Sequence, residues 1–295
     1  MSDLEHIAIE RLRAASEMSL QHYGLPLVVT DSGGKDSSVC KELALRAGIP
    51  FEILHSHTTA DAPETVRFVR TEAKRLEDLG IKYTINMPTY KGVRTSMWGL
   101  IPQKLMPPTR LVRYCCAVLK ENGGAGRFIT TGVRWDESVS RKNLRGIYER
   151  ITADKKKKVI LNNDNDDKRM LFENCRLKAK RVVNPIIDWT DNDVWDFLND
   201  AGCPVNPLYE EGRCRVGCVG CPVAGQAGRI EEFKRWPKYK DLYMLAFGKM
   251  LHERRLRGLR TVWQTPEDVY NWSMGFDVLP GQIDWFEEME EDAYE

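Results

Sequence analysis

The stretch from Leu27 to Ser38 constrains this chain more than any other. An apolar run, Leu27-Val28-Val29-Thr30-Asp31, stops at Ser32-Gly33-Gly34-Lys35-Asp36-Ser37-Ser38, and Val39, Leu43, Ala44 and Ala47 follow at helical spacing. The pattern predicts a strand, a tight loop and a helix. Two glycines let the backbone fold closely around a ligand, while the unpaired amides at the start of the helix point at it. Lys35 adds a positive charge, and Ser32, Ser37 and Ser38 add hydroxyl donors. Such a junction is suited to a phosphate or pyrophosphate group.

The surrounding pattern places this loop in a sheet. Leu4, Ile7, Ala8, Leu12, Ala15 and Leu20 predict a helix over 4–22. Strands are expected at 26–31, 51–55, 81–85 and 127–134, with helices behind the loop and from Pro63 towards Gly80. Strands alternating with helices at this spacing predict an α/β fold with a doubly wound, mostly parallel sheet. Ligands in such sheets bind beyond the carboxyl ends of the strands, where Ser32–Ser38 falls. The segment 88–108 reads as loop and short helix, and 113–120 as a short helix. Residues 154–180, with Lys155–Lys158 and Asn162–Asp167, read as a surface hairpin or loop. Thr190 is expected to cap a helix containing Val194, Trp195, Phe197 and Leu198. From Ile230 to Leu259 the chain reads as helix broken at Pro237, with Leu242, Leu245, Ala246 and Met250 as its buried stripe. Two domains are expected: 1–225, carrying the loop and the cysteines, and 226–295, a helical extension with an acidic tail.

Charge is uninformative in total and informative in distribution. The 295 residues carry a formal net charge of +1. From Arg141 to Arg181 there are 14 Lys/Arg against 6 Asp/Glu, and from Arg229 to Arg260 there are 10 against 4. Asp284 to Glu295 holds seven acids and no base. The two basic segments are candidate contacts for DNA or another nucleic acid, against the alternative of solvated faces. No long apolar run and no basic-then-apolar start is present, so no membrane association and a cytoplasmic location are expected. In a reducing compartment eight cysteines serve as metal ligands or reactive thiols more often than as disulfides.

Cys214, Cys218 and Cys221 stand within eight residues, spaced by Gly217 and Gly220, and Cys115-Cys116 offers a fourth thiolate from a distant segment. A set of four suits an iron–sulfur cluster or, as the lesser alternative, a tetrahedral zinc. Cys-x3-Cys-x2-Cys is also the spacing of radical S-adenosylmethionine enzymes, which carry it at the start of a barrel; the loop at Ser32 argues against that. Cys40, Cys175 and Cys203 each stand alone and read as structural.

Ser32-Gly33-Gly34-Lys35-Asp36-Ser37 does not fit the ordinary phosphate loop, G-x-x-x-x-G-K-[ST], because too few residues precede the lysine. It resembles the PP-loop of the ATP pyrophosphatases, which cleave ATP between the α and β phosphates. Further motifs follow in order. They are His57-Thr58 with Asp61-Ala62-Pro63-Glu64-Thr65, then Arg113-Tyr114-Cys115-Cys116, and Thr131-Gly132-Val133-Arg134 with Glu137-Ser138. Asn184-Pro185-Ile186-Ile187-Asp188-Trp189 and Gly217-Cys218-Val219-Gly220-Cys221-Pro222 complete the series. Over residues 25–225 it resembles the phosphoadenosine phosphosulfate reductase family, which implies an adenine nucleotide alpha hydrolase-like fold. Members with Cys-Cys plus Cys-x2-Cys hold a [4Fe-4S] cluster, which implies Cys115, Cys116, Cys218 and Cys221 here, with Cys214 as a competitor for one of the tandem pair.

Reductases of that family attack their substrate with a tail cysteine, and no cysteine follows Cys221 in this sequence. The resemblance therefore points to the relative that inserts sulfur into the DNA backbone, the sulfurtransferase of DNA phosphorothioation systems. On that reading ATP and Mg²⁺ dock at Ser32–Ser38, with Lys35 and Arg134 neutralising the phosphates. Asp36 or Asp61 holds Mg²⁺ through water, Asp61 having the alternative role of a helix N-terminal acid. Arg141 lines the rim or is surface charge, and a cysteine desulfurase supplies sulfur. Two alternatives are a sulfonucleotide reductase using an external thiol and a non-catalytic nucleotide-binding subunit.

Overall fold

A computed structural model describes residues 2–121, 123–151, 158–162, 164 and 180–277. The acidic stretch 284–295, Cys175 and most of the Lys155–Arg181 segment lie outside the described residues.

The chain opens with helix α1 (Asp3–Tyr23), capped by the Ser2 side chain on the Glu5 amide and closed at Gly24 in the left-handed conformation. Strand β1 (Leu27–Asp31), helix α2 (Lys35–Ala47), strand β2 (Phe51–Ser56), helix α3 (Pro63–Asp78) and strand β3 (Tyr83–Asn86) follow. A small antiparallel pair, β4 (Thr89–Tyr90) and β5 (Val93–Arg94), precedes α4 (Met97–Lys104) and α5 (Tyr114–Leu119). Then come β6 (Phe128–Thr130), α6 (Val139–Leu144), β7 (Tyr148–Ile151), β8 (Val159–Leu161), β9 (Lys180–Val183) and α7 (Asp191–Asp200). The described chain ends in α8 (Gln226–Arg235), α9 (Pro237–Leu256) and α10 (Pro266–Met274).

Contacts divide the chain into two units. The first comprises 1–57, 63–87 and 120–217; the second comprises 58–62, 88–119 and 218–295. Cys115, Cys116, Cys218 and Cys221 fall in the second unit, with the C-terminal helices.

The first unit is an α/β fold on a seven-stranded sheet of order β3-β2-β1-β6-β9-β7-β8. The pairs from β3 through β9 are parallel, and β7 runs antiparallel to both β9 and β8. Strand order reverses direction at β1, since β2 and β3 lie to one side and β6 and β9 to the other. That is the switch point at which open α/β sheets form a crevice. Leu27, Val29 and Ile53 pack with Leu12 of α1, Leu43 of α2, Leu76 of α3 and Phe197 of α7 in one core. The alternate residues Val28, Ile129 and Val182, with Leu54, form a smaller cluster, as the two-residue period of a strand requires.

The second unit is built on aromatic side chains. The Trp98 ring of α4 meets Tyr243 of α9 edge-on at 4.8 Å, and Phe233 of α8 meets the same tyrosine at 5.6 Å. Trp263 and Trp272 lie 5.0 Å apart.

Several sequence expectations are displaced. The strand expected over 127–134 is paired only at Phe128–Thr130, because Val133 and Arg134 leave the sheet to enter a single turn at Trp135–Glu137. The stripe of α9 is Tyr243, Ala246, Phe247, Met250 and Leu251, while Leu242 and Leu245 are 36% and 62% exposed. The aromatic pair at i and i+4 turns the helix one residue from the expected face. Helix α10 was not anticipated, although Thr265 and Asp268 form a reciprocal cap at its start. Among the described residues no helix is long and apolar enough to cross a membrane.

Candidate functional site

The loop after β1 is anchored from behind by Asp31, a residue to which the sequence reading gave no role. Its carboxylate is buried, and Oδ1 accepts from the Gly33 amide at 2.8 Å and from Ser37 Oγ at 2.9 Å. Oδ2 accepts from Lys41 Nζ and from the Tyr83 hydroxyl, both at 2.7 Å. Burial alone pushes a carboxyl up, but the Lys41 charge and these donors outweigh it and hold Asp31 well below the usual carboxylate range.

The loop itself has little slack. Gly33 has φ +73°, and a Cβ there would stand 2.9 Å from Thr65 Cγ2 and 3.0 Å from Val69 Cγ2. Asn206 Nδ2 donates to the Gly33 carbonyl at 3.0 Å, and the Lys35 amide donates to the Tyr209 hydroxyl at 3.0 Å. Ser37 Oγ also lies 2.8 Å from the Gly34 carbonyl. Ser32 Oγ lies 3.2 Å from Ser37 Oγ. Ser38 Oγ, at the start of α2, is buried without a hydrogen-bond partner.

Above the loop stand four charges. Lys35 Nζ lies 2.9 Å from Asp191 Oδ1 and 3.6 Å from Asp36 Oδ2. Arg134, 2% exposed, donates from Nε to Asp36 Oδ1 at 2.6 Å and from Nη2 to Asp191 Oδ1 at 2.8 Å. Burial works against the Arg134 charge, but Asp36 and Asp191 more than offset it and hold the guanidinium protonated beyond its ordinary range. Partial burial raises Asp191, and Lys35 and Arg134 overcome this to leave it below its ordinary value. Close approach brings the partners together: a Cβ on Gly132 would lie 2.8 Å from the Asp36 backbone, so β6 exits directly against the start of α2.

The expected site residues are thus placed as follows. Lys35, Asp36 and Arg134 are brought together at the loop. Arg141 pairs with Glu137 on the single-turn segment ahead of α6, and burial lowers its pKa. Asp61 belongs to the second unit, where its carboxylate accepts from the Thr58 amide at 2.9 Å. Cys214 is exposed, in the last segment of the first unit. Arg150 and Arg181 are buried, so those two cations of the first basic segment present no surface to a nucleic acid. Asp191, Tyr209 and Asn206 were missed. Nothing in the spacing of the sequence joins Asp191 to Lys35.

The second unit gathers four thiols. Asp61 and Cys218 form an antiparallel bridge, the Val219 amide donates to the Ala60 carbonyl at 2.8 Å, and Cys218 Sγ lies 3.3 Å from Thr58 Oγ1. The Cys221 amide donates to the Cys218 carbonyl at 3.3 Å. Gly220 has φ +71°, and a Cβ would be 2.6 Å from Phe233 Cζ, so this turn packs flat on aromatic rings. Its amide donates to Glu232 Oε2 at 2.6 Å. From α5, Cys116 Sγ accepts from Arg113 Nη2 at 3.4 Å. A hydrogen bond with Cys116, burial, and the charges that Cys116, Cys218 and Cys221 carry as thiolates all push the Cys115 thiol well up. The four sulfurs are therefore electrostatic neighbours, and four thiolates in a buried place need cations between them. Arg229 of α8, 8% exposed, is one nearby cation. Its charge interacts with Cys221, its Nη1 donates to the Ser273 carbonyl and its Nε has no partner.

A profile of the phosphoadenosine phosphosulfate reductase domain matches residues 26–224. The chain belongs to that family. An uncharacterized protein of Methanocaldococcus jannaschii is 31% identical over 251 residues, covering 80% of this chain and 51% of that protein. The chloroplastic 5'-adenylylsulfate reductase 1 of Arabidopsis thaliana is 26% identical over 253 residues, covering 80% of this chain and 48% of that protein. The chain thus spans about half the length of these two curated relatives. The crystal structure of phosphoadenylyl-sulfate reductase from Candida auris, a phosphate complex, matches with TM-score 0.45 at 16% identity, covering 74% of this chain and 96% of that one. In this phosphoadenosine phosphosulfate reductase family member, the loop at Ser32–Ser38 and the cysteine segments all fall inside the matched region.

Proposed function

We propose that this family member is an ATP pyrophosphatase and sulfurtransferase that adenylates an acceptor, the DNA backbone, and replaces the activated oxygen with sulfur. The observation that carries the reading is the Ser32–Ser38 loop, at which Lys35 and Arg134 converge on Asp36 and Asp191. An acceptor oxygen attacks the α phosphorus of ATP, the bond to the β-phosphate bridging oxygen breaks, and pyrophosphate leaves with the electron pair. In this reading Lys35 and Arg134 neutralise the charge that develops on that leaving group. Asp36 and Asp191 are the carboxylates at the loop, and holding Mg²⁺ would require each to exchange its present partner for the ion. A sulfur nucleophile at the oxidation level of sulfide then displaces AMP from the acceptor; a partner of the cysteine desulfurase class supplies that sulfur as a persulfide, which a thiol reductant cleaves to sulfide with formation of a disulfide.

Cys115, Cys116, Cys218 and Cys221 fit a [4Fe-4S] cluster as an all-thiolate donor set on two segments of one unit. Tetrahedral zinc, with thiolates about 2.3 Å from the metal, is the lesser alternative for the same donor set. When bound, such a cluster supplies sulfur-handling or redox chemistry. Arg229 offers it a compensating charge, and the Phe233 and Tyr243 rings under Gly220 limit access of water.

A second reading, a sulfonucleotide reductase using an external thiol, is favoured by the similarity to 5'-adenylylsulfate reductase 1. One experiment separates them. With ATP, Mg²⁺ and DNA the sulfurtransferase yields AMP and pyrophosphate, whereas with adenylyl sulfate and a thiol the reductase yields sulfite and AMP. Formation of ADP and phosphate, or no pyrophosphate with any acceptor, refutes the first reading.

A further inference from the structure

Helix α2 begins without a cap of its own. Gly34 precedes it and offers no side-chain oxygen, so the Lys35 amide is one of the donors that a helix start leaves unpaired. The phenolic oxygen of Tyr209 accepts from it at 3.0 Å, from 174 residues further along the chain. A Cβ on Gly34 would stand 3.3 Å from the same oxygen, so the glycine leaves room for the phenol to come in over the loop.

Tyr209 is held in that place by its neighbours. It closes the single turn Pro207–Tyr209, whose cap, Asn206, accepts from the Leu208 amide at 3.1 Å. Asn206 Nδ2 donates to the Gly33 carbonyl and to Thr65 Oγ1, both at 3.0 Å, which pins the turn to the loop a second time. The Tyr209 ring meets Trp195 of α7 edge-on at 5.2 Å. Tyr209, Gly34 and Asp36 are each half-buried and Ser32 is exposed, so this face of the loop is open to a ligand.

Capping an amide needs only an acceptor, and a carboxylate or a carbonyl would serve. A phenol brings a proton as well. Burial first, then the charges of Asp36 and Asp191, push the Tyr209 hydroxyl up to about 12, against the Lys35 amide and the Arg134 charge, so the proton is in place at neutral pH. Among the described residues that proton has no acceptor, since the partner of the hydroxyl, the Lys35 amide, is itself a donor. A hydroxyl that accepts from an amide is polarised into a stronger donor. Lys35 Nζ and Arg134 put positive charge at the same loop, where the acceptor that suits all three groups is an anion.

We propose that Tyr209 is a phosphate-binding residue of the Ser32–Ser38 loop, its hydroxyl accepting from the Lys35 amide and donating to a non-bridging oxygen of the bound nucleotide. The first amide of α2 then acts on the phosphate through the phenol and not by direct contact. This rests on the reading that the loop binds ATP.

The test is calorimetric titration of the full chain with pyrophosphate, without DNA or a sulfur donor. Tyr209→Phe keeps the ring against Trp195 and removes the hydroxyl. It should weaken pyrophosphate binding roughly tenfold, the contribution of one hydrogen bond to a charged group. A hydroxyl that does no more than occupy the amide gives the opposite sign, because its removal frees the Lys35 donor for the ligand. Unchanged or tighter binding in Tyr209→Phe therefore overturns the proposal. A ring-fluorinated tyrosine at position 209 keeps ring and hydroxyl and makes the phenol a stronger donor and a weaker acceptor. It should bind pyrophosphate more tightly than the native protein does; equal or weaker binding overturns the proposal even where Tyr209→Phe does not fold. An unaltered protein that binds no pyrophosphate overturns the nucleotide reading and this inference with it. One that binds pyrophosphate, with Tyr209→Phe its equal, keeps the nucleotide reading and removes Tyr209 from the site.

Discussion

Replacing Asp31 with asparagine tests whether the nucleotide loop is held from behind by charge. Asparagine is nearly isosteric, so its Oδ1 keeps the Gly33 and Ser37 donors at 2.8 and 2.9 Å. The other side-chain atom becomes an NH₂ facing two donors, Lys41 Nζ and the Tyr83 hydroxyl, each at 2.7 Å in the native protein. Tyr83 can rotate its proton and accept; Lys41 cannot. Its remaining carboxylate is Glu72, 3.6 Å away and already shared with Arg75 at 2.9 Å. Stranding one partner of a buried pair costs about 3–5 kcal/mol. Because Glu72 is retained, the lower end, about 3 kcal/mol, is expected, which at roughly 2–4 °C per kcal/mol lowers Tm by roughly 6–12 °C. Urea unfolding followed by circular dichroism reads this directly, and adding Lys41→Met to the variant should restore part of the loss by removing the stranded cation. The folded-state pKa of Asp31 is depressed. Its contribution is therefore present above the unfolded value, about 3.9, and is lost as pH falls through that value towards the folded one. The asparagine variant should lack this acid-sensitive component. A destabilisation below about 1 kcal/mol, or no rescue by Lys41→Met, would refute the argument, since the network would then not be what fixes the loop.

Asp191→Asn should tighten pyrophosphate binding several-fold in calorimetric titration, because a carboxylate 2.9 Å from Lys35 Nζ and 2.8 Å from Arg134 Nη2 no longer competes with the ligand; weaker binding would show that Asp191 positions those cations for the phosphates. Lys35→Ala should abolish pyrophosphate formation while leaving iron content and Tm near native, a split that a purely structural lysine would not produce. Cys218→Ser is expected to lose iron and the brown colour of a cluster, and retention of stoichiometric iron would remove Cys218 from the ligand set. Gly220→Ala forces a left-handed residue and a 2.6 Å contact with Phe233. It should destabilise the protein by about 2–4 kcal/mol, combining overpacking with the conformational penalty, as measured by thermal unfolding.

The parts of the fold that were legible in the sequence were those written in local chemistry. β1, its glycine loop and the helix behind it follow from an apolar run, two glycines and a helical period, and Thr190 announced α7 by its capping pattern with Asp193. Family motifs brought Arg134 to the loop, where it pairs with Asp36. What stayed hidden depends on the third dimension. Asp31 looks like the last residue of a strand until Lys41 and Tyr83 are seen converging on it, and Tyr209 reaches Lys35 across 174 residues. The stripe of α9 was misplaced because leucines were counted ahead of Tyr243 and Phe247, whose larger rings decide which face is buried. Arg150 and Arg181 count as surface charge in the sequence, yet they face each other across the paired strands β7 and β9 and are buried. The sum of charges along a segment carries no information about which side chains face solvent.

The interleaving of the two units bears on how the protein can be cut. The chain passes from one unit to the other at 57/58, 62/63, 87/88, 119/120 and 217/218, so neither is a contiguous fragment. A truncation at the end of the family match, residue 224, retains every strand of the large sheet and all eight cysteines. It removes Phe233 and Tyr243, whose rings bracket Gly220, and Tyr239, whose hydroxyl donates to the Asp61 carbonyl at 2.5 Å. Such a fragment would keep its thiols and lose the aromatic floor on which two of them are set, so a minimal-domain expression that binds no metal would not by itself count against those thiols as ligands.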